Sequence, residues 1–205
     1  MRKYIAIFML VFGSLSAFHT NAWAKETSSK EIELRQNMRK LWEDHLTYTR
    51  NYIISVLADL EDADAVAKRL FQNQEEIGAA IKPYYGREAG DQLTALLKEH
   101  ISIATEVVAA AKAGNDEEVT TAQQKWSSNG KAIATFLSGA NPNWPESDLT
   151  DMLQKHLDLT TDEVVSRLKK DWDKDIESYD KGHEHMLMFA DDLTDGIVKQ
   201  FADKF

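Results

Sequence analysis

The chain has no cysteine. That absence excludes disulfides, thiolate metal sites, thiol nucleophiles and a lipid-modified cysteine, so stability has to come from an apolar core. Proline is almost as scarce. Pro83, Pro142 and Pro145 are the only three, and they fall in two loop-like stretches, Lys82-Pro83-Tyr84-Tyr85-Gly86 and Gly139 to Pro145. Catalytic motifs are missing as well: there is no P-loop, no Gly-x-Gly-x-x-Gly and no His-Glu-x-x-His, which removes the usual phosphate cradle, dinucleotide fingerprint and zincin site. Gly-x-Ser-x-Gly is absent too, and Ser127-Ser128 sits inside a helical pattern rather than at a nucleophile elbow. Paired Glu-x-x-His segments of a di-iron bundle are represented only by Asp180-x-x-His183, with the wrong acid. No residue is assigned a catalytic role, and a non-enzymatic protein is the favoured reading.

What is present begins with a leader. Arg2 and Lys3 precede a largely apolar run from Tyr4 to Phe18, and Ala22-Trp23-Ala24 forms an A-x-A site. Residues 1–24 therefore read as a cleavable signal peptide and residues 25–30 as a polar leader. The apolar run is short for a membrane span of about 20 residues, so no stable membrane anchor is expected. Export to the periplasm, or beyond the cell, follows from this reading. Removing the segment takes the formal charge from −10 to −12, because it holds Arg2 and Lys3 and no acid. An acidic chain of that kind does not favour nucleic acid or anionic lipid as partners. A non-catalytic module that binds a small ligand or an envelope protein is the expected function, with a structural or envelope stress or assembly role as an alternative.

Between the proline-bearing stretches the sequence is rich in Ala, Leu, Glu, Lys and Gln, with apolar residues three and four apart and no strand alternation. Helices are predicted at about 29–59, 62–81, 87–113, 115–138, 147–157 and 161–200. Gly114-Asn115 supplies a stop and a cap, and Thr160 with Glu163 has capping-box spacing for the last helix. Short connections imply antiparallel neighbours. The expected fold is all-α, a single bundle of about six antiparallel helices over residues 31–205, arranged as three related hairpins.

The hairpin idea rests on a repeat. Segments around His45, His100 and His156 share a pattern of two apolar residues, two polar residues, His and an aliphatic, at spacings of 55 and 56. The returning helices offer Asn73, Asn129 and His183, at spacings of 56 and 54. In helical phase each of these six falls on the apolar stripe: His45 lies with Met38 and Trp42, Asn129 with Trp126 and Ile133, and His183 with Trp172, Ile176 and Tyr179. A buried imidazole or carboxamide without a partner costs about 1–3 kcal/mol, so these groups must satisfy one another or bind something. A structural polar network is the first reading, with Asn73, Glu76, Asn129 and Tyr179 as candidates to line a polar interior. The sharper one is a site for a divalent transition metal, zinc, copper, nickel or iron, held by His45, His100 and His156 with His183. No other cofactor is indicated. Trp42, Trp126 and Trp172 are expected in the core and Trp144 as a loop anchor, while Asp175, Asp180 and Glu106 read as surface charge.

The stretches Trp42 to Arg50, Asn73 to Gly78, Lys82 to Gly86, Ala109 to Gly114, Asn141 to Trp144 and His156 to Thr160 together resemble a family of small bacterial all-helical proteins without an assigned activity. The resemblance spans about residues 41–197. It implies a helical fold and carries no functional residue with it.

Overall fold

The structure, a computed structural model, describes residues 28–205. The signal-peptide reading of residues 1–24 and the first half of the leader, residues 25–27, lie outside them. Among the described residues all regular structure is helical: α1 (Ser29–Leu57), α2 (Ala63–Ala113), α3 (Asp116–Ala140), α4 (Glu146–Leu168) and α5 (Trp172–Gln200), followed by a 3-10 turn, Ala202–Lys204. Ser28 caps α1 by accepting from the Glu31 N–H at 3.1 Å, so Ser29 and Lys30 belong to the helix rather than to the polar leader.

Helix α2 folds back on itself. Gly86 has φ 84° and ψ 173°, a backbone geometry that side-chain-bearing residues rarely adopt, and Pro83 precedes it by one turn. Beyond Gly86 the two arms run antiparallel in contact: a Cβ on Gly78 would meet the Gly90 carbonyl at 2.6 Å. The five helices thus present six helical segments, close to the expected arrangement. Each segment packs on its sequence neighbours, and α1 against α5 closes the ring. Arg35 and Arg39 of α1 pair with Asp191 of α5 along that seam, and Arg35 also with Asp195.

The last third departs from expectation. Residues 146–168 form one helix, so Thr160 is not an N-cap; its hydroxyl donates back to the His156 carbonyl at 2.9 Å, and Glu163 turns to Arg50 instead of capping. The chain breaks at Lys169–Asp171, where Lys170 takes φ 59°. Phase restarts there, so α5 buries Asp175, Ser178, Gly182, Met186 and Phe189. Trp172 and Ile176, expected inside, are each 51 % exposed. No helix of the described residues is long and apolar enough to cross a membrane.

The apolar core is unevenly divided. One cluster of twenty buried residues, including Met38, Trp42, Ile77, Leu97, Ile133 and Phe189, fills the half toward Gly86. Toward the α1–α2, α2–α3 and α4–α5 turns only two small clusters remain, one around Val107 and Trp126 and one of Ile53, Val108 and Val164.

Candidate functional site

Between the large core and the small clusters lies a layer of polar side chains, and one hydrogen bond builds it three times. Asn73 donates to the Leu41 carbonyl at 3.0 Å, Asn129 donates to the Leu96 carbonyl at 3.1 Å, and His185 Nε2 contacts the Met152 carbonyl at 2.7 Å. Each carbonyl lies four residues before a histidine of the pattern: His45, His100 or His156. His185 therefore occupies the place expected for His183, and the spacings from Asn73 to Asn129 to His185 are both 56. In each pair the returning helix is pinned one turn before the imidazole, which fixes the ring's height in the bundle.

The three imidazoles meet. Ring centres of His45 and His156 are 5.5 Å apart, those of His100 and His156 5.9 Å, and those of His45 and His100 6.5 Å, all in residues no more than 3 % exposed. Their hydrogen bonding differs. His100 is saturated: Nδ1–H donates to Asn129 Oδ1 at 2.9 Å, and Nε2 accepts from the Trp126 indole at 3.1 Å. Both bonds together require the neutral ring protonated on Nδ1. His45 Nδ1 faces Gln74 Nε2 at 3.3 Å, but that nitrogen also serves the Leu70 carbonyl and Asn73 Oδ1, three acceptors for two N–H groups. Gln74 Oε1 and His156 Nδ1 are buried with no partner. The positions corresponding to Trp126 in the other two pairs are Leu70 and Gly182, whose side chains offer no N–H.

Burial sets the charge state. It pushes His45 down to about 3, helped by the neighbouring His100 and opposed by Gln74, and pushes His100 down to about 4 against the pull of Asn129. His156 falls well below its ordinary value through burial, then through His45, His100 and His185. At neutral pH these three imidazoles are uncharged.

Beside it is a cavity of about 20 Å³, room for about one water molecule. Its walls are mostly apolar, with Ile53, Leu70, Val108 and Val164 among them; His45, His156 and Trp126 also line it, and His100 does not. Tyr52, Thr105 and Thr161 line it too and are only partly buried, so they mark the side toward solvent.

The structure thus brings together His45, His100, His156, Asn73 and Asn129, the last two wholly or nearly buried. It does not bring in the other candidates. His183 is partly exposed, with Nε2 3.5 Å from Glu43. Glu76 is at the surface with Arg69 at 3.1 Å, not in the interior. Tyr179 is half-buried and packs its ring 4.6 Å from the Arg50 guanidinium. Among the described residues no group of three or more His, Cys, Asp or Glu is placed to hold a metal ion. Two physical reasons are on hand: both His100 nitrogens are committed, and the hydrogen bonds of the three rings reach no carboxylate.

Sequence reasoning missed a second polar feature. Asp175, read as surface charge, is 2 % exposed; Arg50 reaches it at 3.1 Å and Arg167 at 2.8 Å, and Arg50 also pairs with Glu163 at 2.7 Å. Burial raises the Glu163 carboxyl to about 7, against the opposing pull of Arg50. This four-membered cluster sits just beyond the cavity, whose wall includes Thr160, Thr161 and Val164 of the same helix turn. The small and polar spacing Asp175, Ser178, Gly182 was the available signal. Gln74, beside Asn73, was also overlooked.

The chain matches no protein-family model, no curated protein and no solved structure.

Proposed function

We propose that the chain is an exported, non-catalytic binding module of the cell envelope, and that its guest hydrogen-bonds His156 beside His45 in a cavity that holds about one water as it stands and admits anything larger only by opening toward Tyr52, Thr105 and Thr161. The observation that carries the reading is the inequality of the three imidazoles. His100 is fully bonded by Asn129 and Trp126, while His156 has a buried nitrogen without a partner and shares a cavity wall with His45. Three related hairpins of about 56 residues account for this pattern: one copy closes its histidine with an indole and the other two leave theirs open. A buried polar atom without a partner costs about 1–3 kcal/mol, a cost that a bound guest removes. The neutral layer favours an uncharged guest over an ion, since an ion there would be stripped of water without a counter-charge.

Native mass spectrometry of protein purified from its own envelope at neutral pH tests this. A discrete added mass on the wild type, lost in His156→Phe, is the expected result. Bare chain in both samples would sink the proposal.

A second reading has its own support: three neutral imidazoles within 6.5 Å of one another are the protonation state that zinc, copper, nickel or iron requires. It needs His100 to release Trp126 or the metal to accept only two protein ligands. Stoichiometric metal in the purified protein, absent from the His45/His100/His156 triple-alanine variant, would establish it over the first reading. Metal content independent of those residues removes it.

A further inference from the structure

The α4–α5 turn carries four large apolar residues that the bundle leaves in solvent. Val165 is 36 % exposed, Leu168 39 %, Trp172 51 % and Ile176 51 %. Exposed apolar residues scattered singly need no account, but four on one hairpin turn, with a tryptophan among them, mark a contact surface. Within the described chain the Arg167 guanidinium lies over the Trp172 ring at 5.5 Å, and the four side chains still keep a third to a half of their surface in solvent.

Charge indicates what does. Lys169, Lys170 and Lys174 are exposed beside the patch, against the exposed acids Asp171, Asp173 and Glu177, the last paired with Lys181. The other turns at the same end of the bundle are acidic. The α1–α2 turn exposes Asp59, Glu61, Asp62 and Asp64 around Leu60, itself 45 % exposed, and only Asp59 has a cation, Lys112. The α2–α3 turn exposes Asp116, Glu117 and Glu118. That these turns share one end follows from contacts between them: Lys112 reaches the Val56 carbonyl, and Arg50 joins α1 to Glu163 and Asp175. One molecule therefore presents, on a single end, an apolar turn flanked by lysines next to acidic turns.

We propose that a second copy of this chain docks here, end to end about a two-fold axis. The lysine-flanked turn of each copy meets the acidic turns of the other, and Trp172 and Ile176 are buried at the centre. A two-fold interface is self-complementary, and a surface with both signs side by side satisfies that condition in one orientation. Six helical segments, each about 10 Å across, present an end face of roughly 600 Å². This is somewhat below the ~800 Å² per partner of a standard interface, so the dimer is a weak one, dissociating at micromolar concentrations. The proposal is independent of the ligand reading.

Sedimentation equilibrium of the wild type, from about 5 to 200 μM at low and high salt, is the first measurement. The weight-average mass is expected to rise toward that of two chains and to fall again with salt. Two charge-reversed proteins follow, one with Lys169→Glu, Lys170→Glu and Lys174→Glu, the other with Glu61→Lys, Asp62→Lys and Asp64→Lys. Each alone should associate at least about tenfold more weakly, and an equimolar mixture should recover the wild-type constant, because opposite turns match again. All six positions are exposed, so circular dichroism should show both variants folded. Trp172→Ala with Ile176→Ser should remove association at either salt. A wild type that stays single across the range overturns the proposal, as does a mixture no tighter than its parts. Monomeric protein that instead binds vesicles of anionic phospholipid through Trp172 would also overturn it and assign the patch to a membrane surface.

Discussion

The two ends of the bundle are built differently from the same six segments. Toward Gly86 the helices share one apolar cluster, sealed by Trp144, whose indole donates to the Asp192 carbonyl at 3.2 Å, and by Tyr84, Tyr85, Phe201 and Phe205. Toward the turns the apolar clusters are small, and a group of two buried carboxylates, Glu163 and Asp175, and two partly buried arginines, Arg50 and Arg167, takes their place. Paired buried charges recover little more than their desolvation cost, so this end contributes much less to stability than its size suggests. The histidine layer is the frontier between a half filled by one large apolar cluster and a half with two small ones.

Acid should expose this contrast most strongly. The three histidines have folded values far below the unfolded value of 6.5, so below that pH the unfolded chain binds protons that the folded chain does not, and stability falls as pH falls. Glu163 works the other way: its folded value of about 7 lies above the unfolded 4.5, so the folded chain holds the extra proton between them. Three groups against one leave a net loss of roughly 3 kcal/mol per pH unit between about 6.5 and 4.5. Urea titrations at pH 7, 6 and 5 should show the midpoint dropping steeply, and a flat profile would mean that the layer is already solvated.

Core truncations should rank the ends next. Phe189→Ala, in the large cluster, is expected to cost about 3–5 kcal/mol, and Val164→Ala about 1–2 kcal/mol, by equilibrium denaturation. Equal costs would erase the distinction between the halves. Within the layer, Asn129→Ala should cost about 1–3 kcal/mol, because it strands the His100 Nδ1–H. In protein refolded free of any guest, His156→Phe should have the smallest effect, within about 1 kcal/mol at pH 7, since the buried Nδ1 it removes has no partner. A large loss there would show that His156 is already satisfied and has nothing to offer a ligand.

The sequence made the first two-thirds of the fold readable because its boundaries carry their own chemistry. Gly86 and Gly114 take positive φ, and Asn115 caps α3 through the Glu118 N–H. The break at Lys169–Asp171 has no glycine or proline, and Lys170 takes φ 59° inside a helix-ending turn closed by its own N–H to the Arg167 carbonyl at 3.0 Å and by the Asp171 N–H to the Ser166 carbonyl at 2.9 Å. Thr160 and Glu163 imitated a helix start while their side chains served a continuous helix and a distant arginine. In the site, His45, His100 and His156 were legible because stripe position and spacing agreed. His183 fits the stripe of a continuous 161–200 helix, whereas the break between Leu168 and Trp172 turns α5 so that His185 enters the layer, in keeping with the constant spacing of 56. Arg50, Glu163 and Asp175 were hidden by the rule that charges lie outside, which fails where charges bury one another.

The ring of helices also has an order of assembly written into it. Every major helix contact joins neighbours along the chain except the one between α1 and α5. Short loops close at small entropic cost, so the hairpins can zip up early, while bringing residue 35 to residue 191 requires most of the chain to be in place. The α1–α5 seam is then the last door to shut and the first to open. Arg35→Ala should speed unfolding and leave the folding rate nearly unchanged, the behaviour of a contact absent from the transition state.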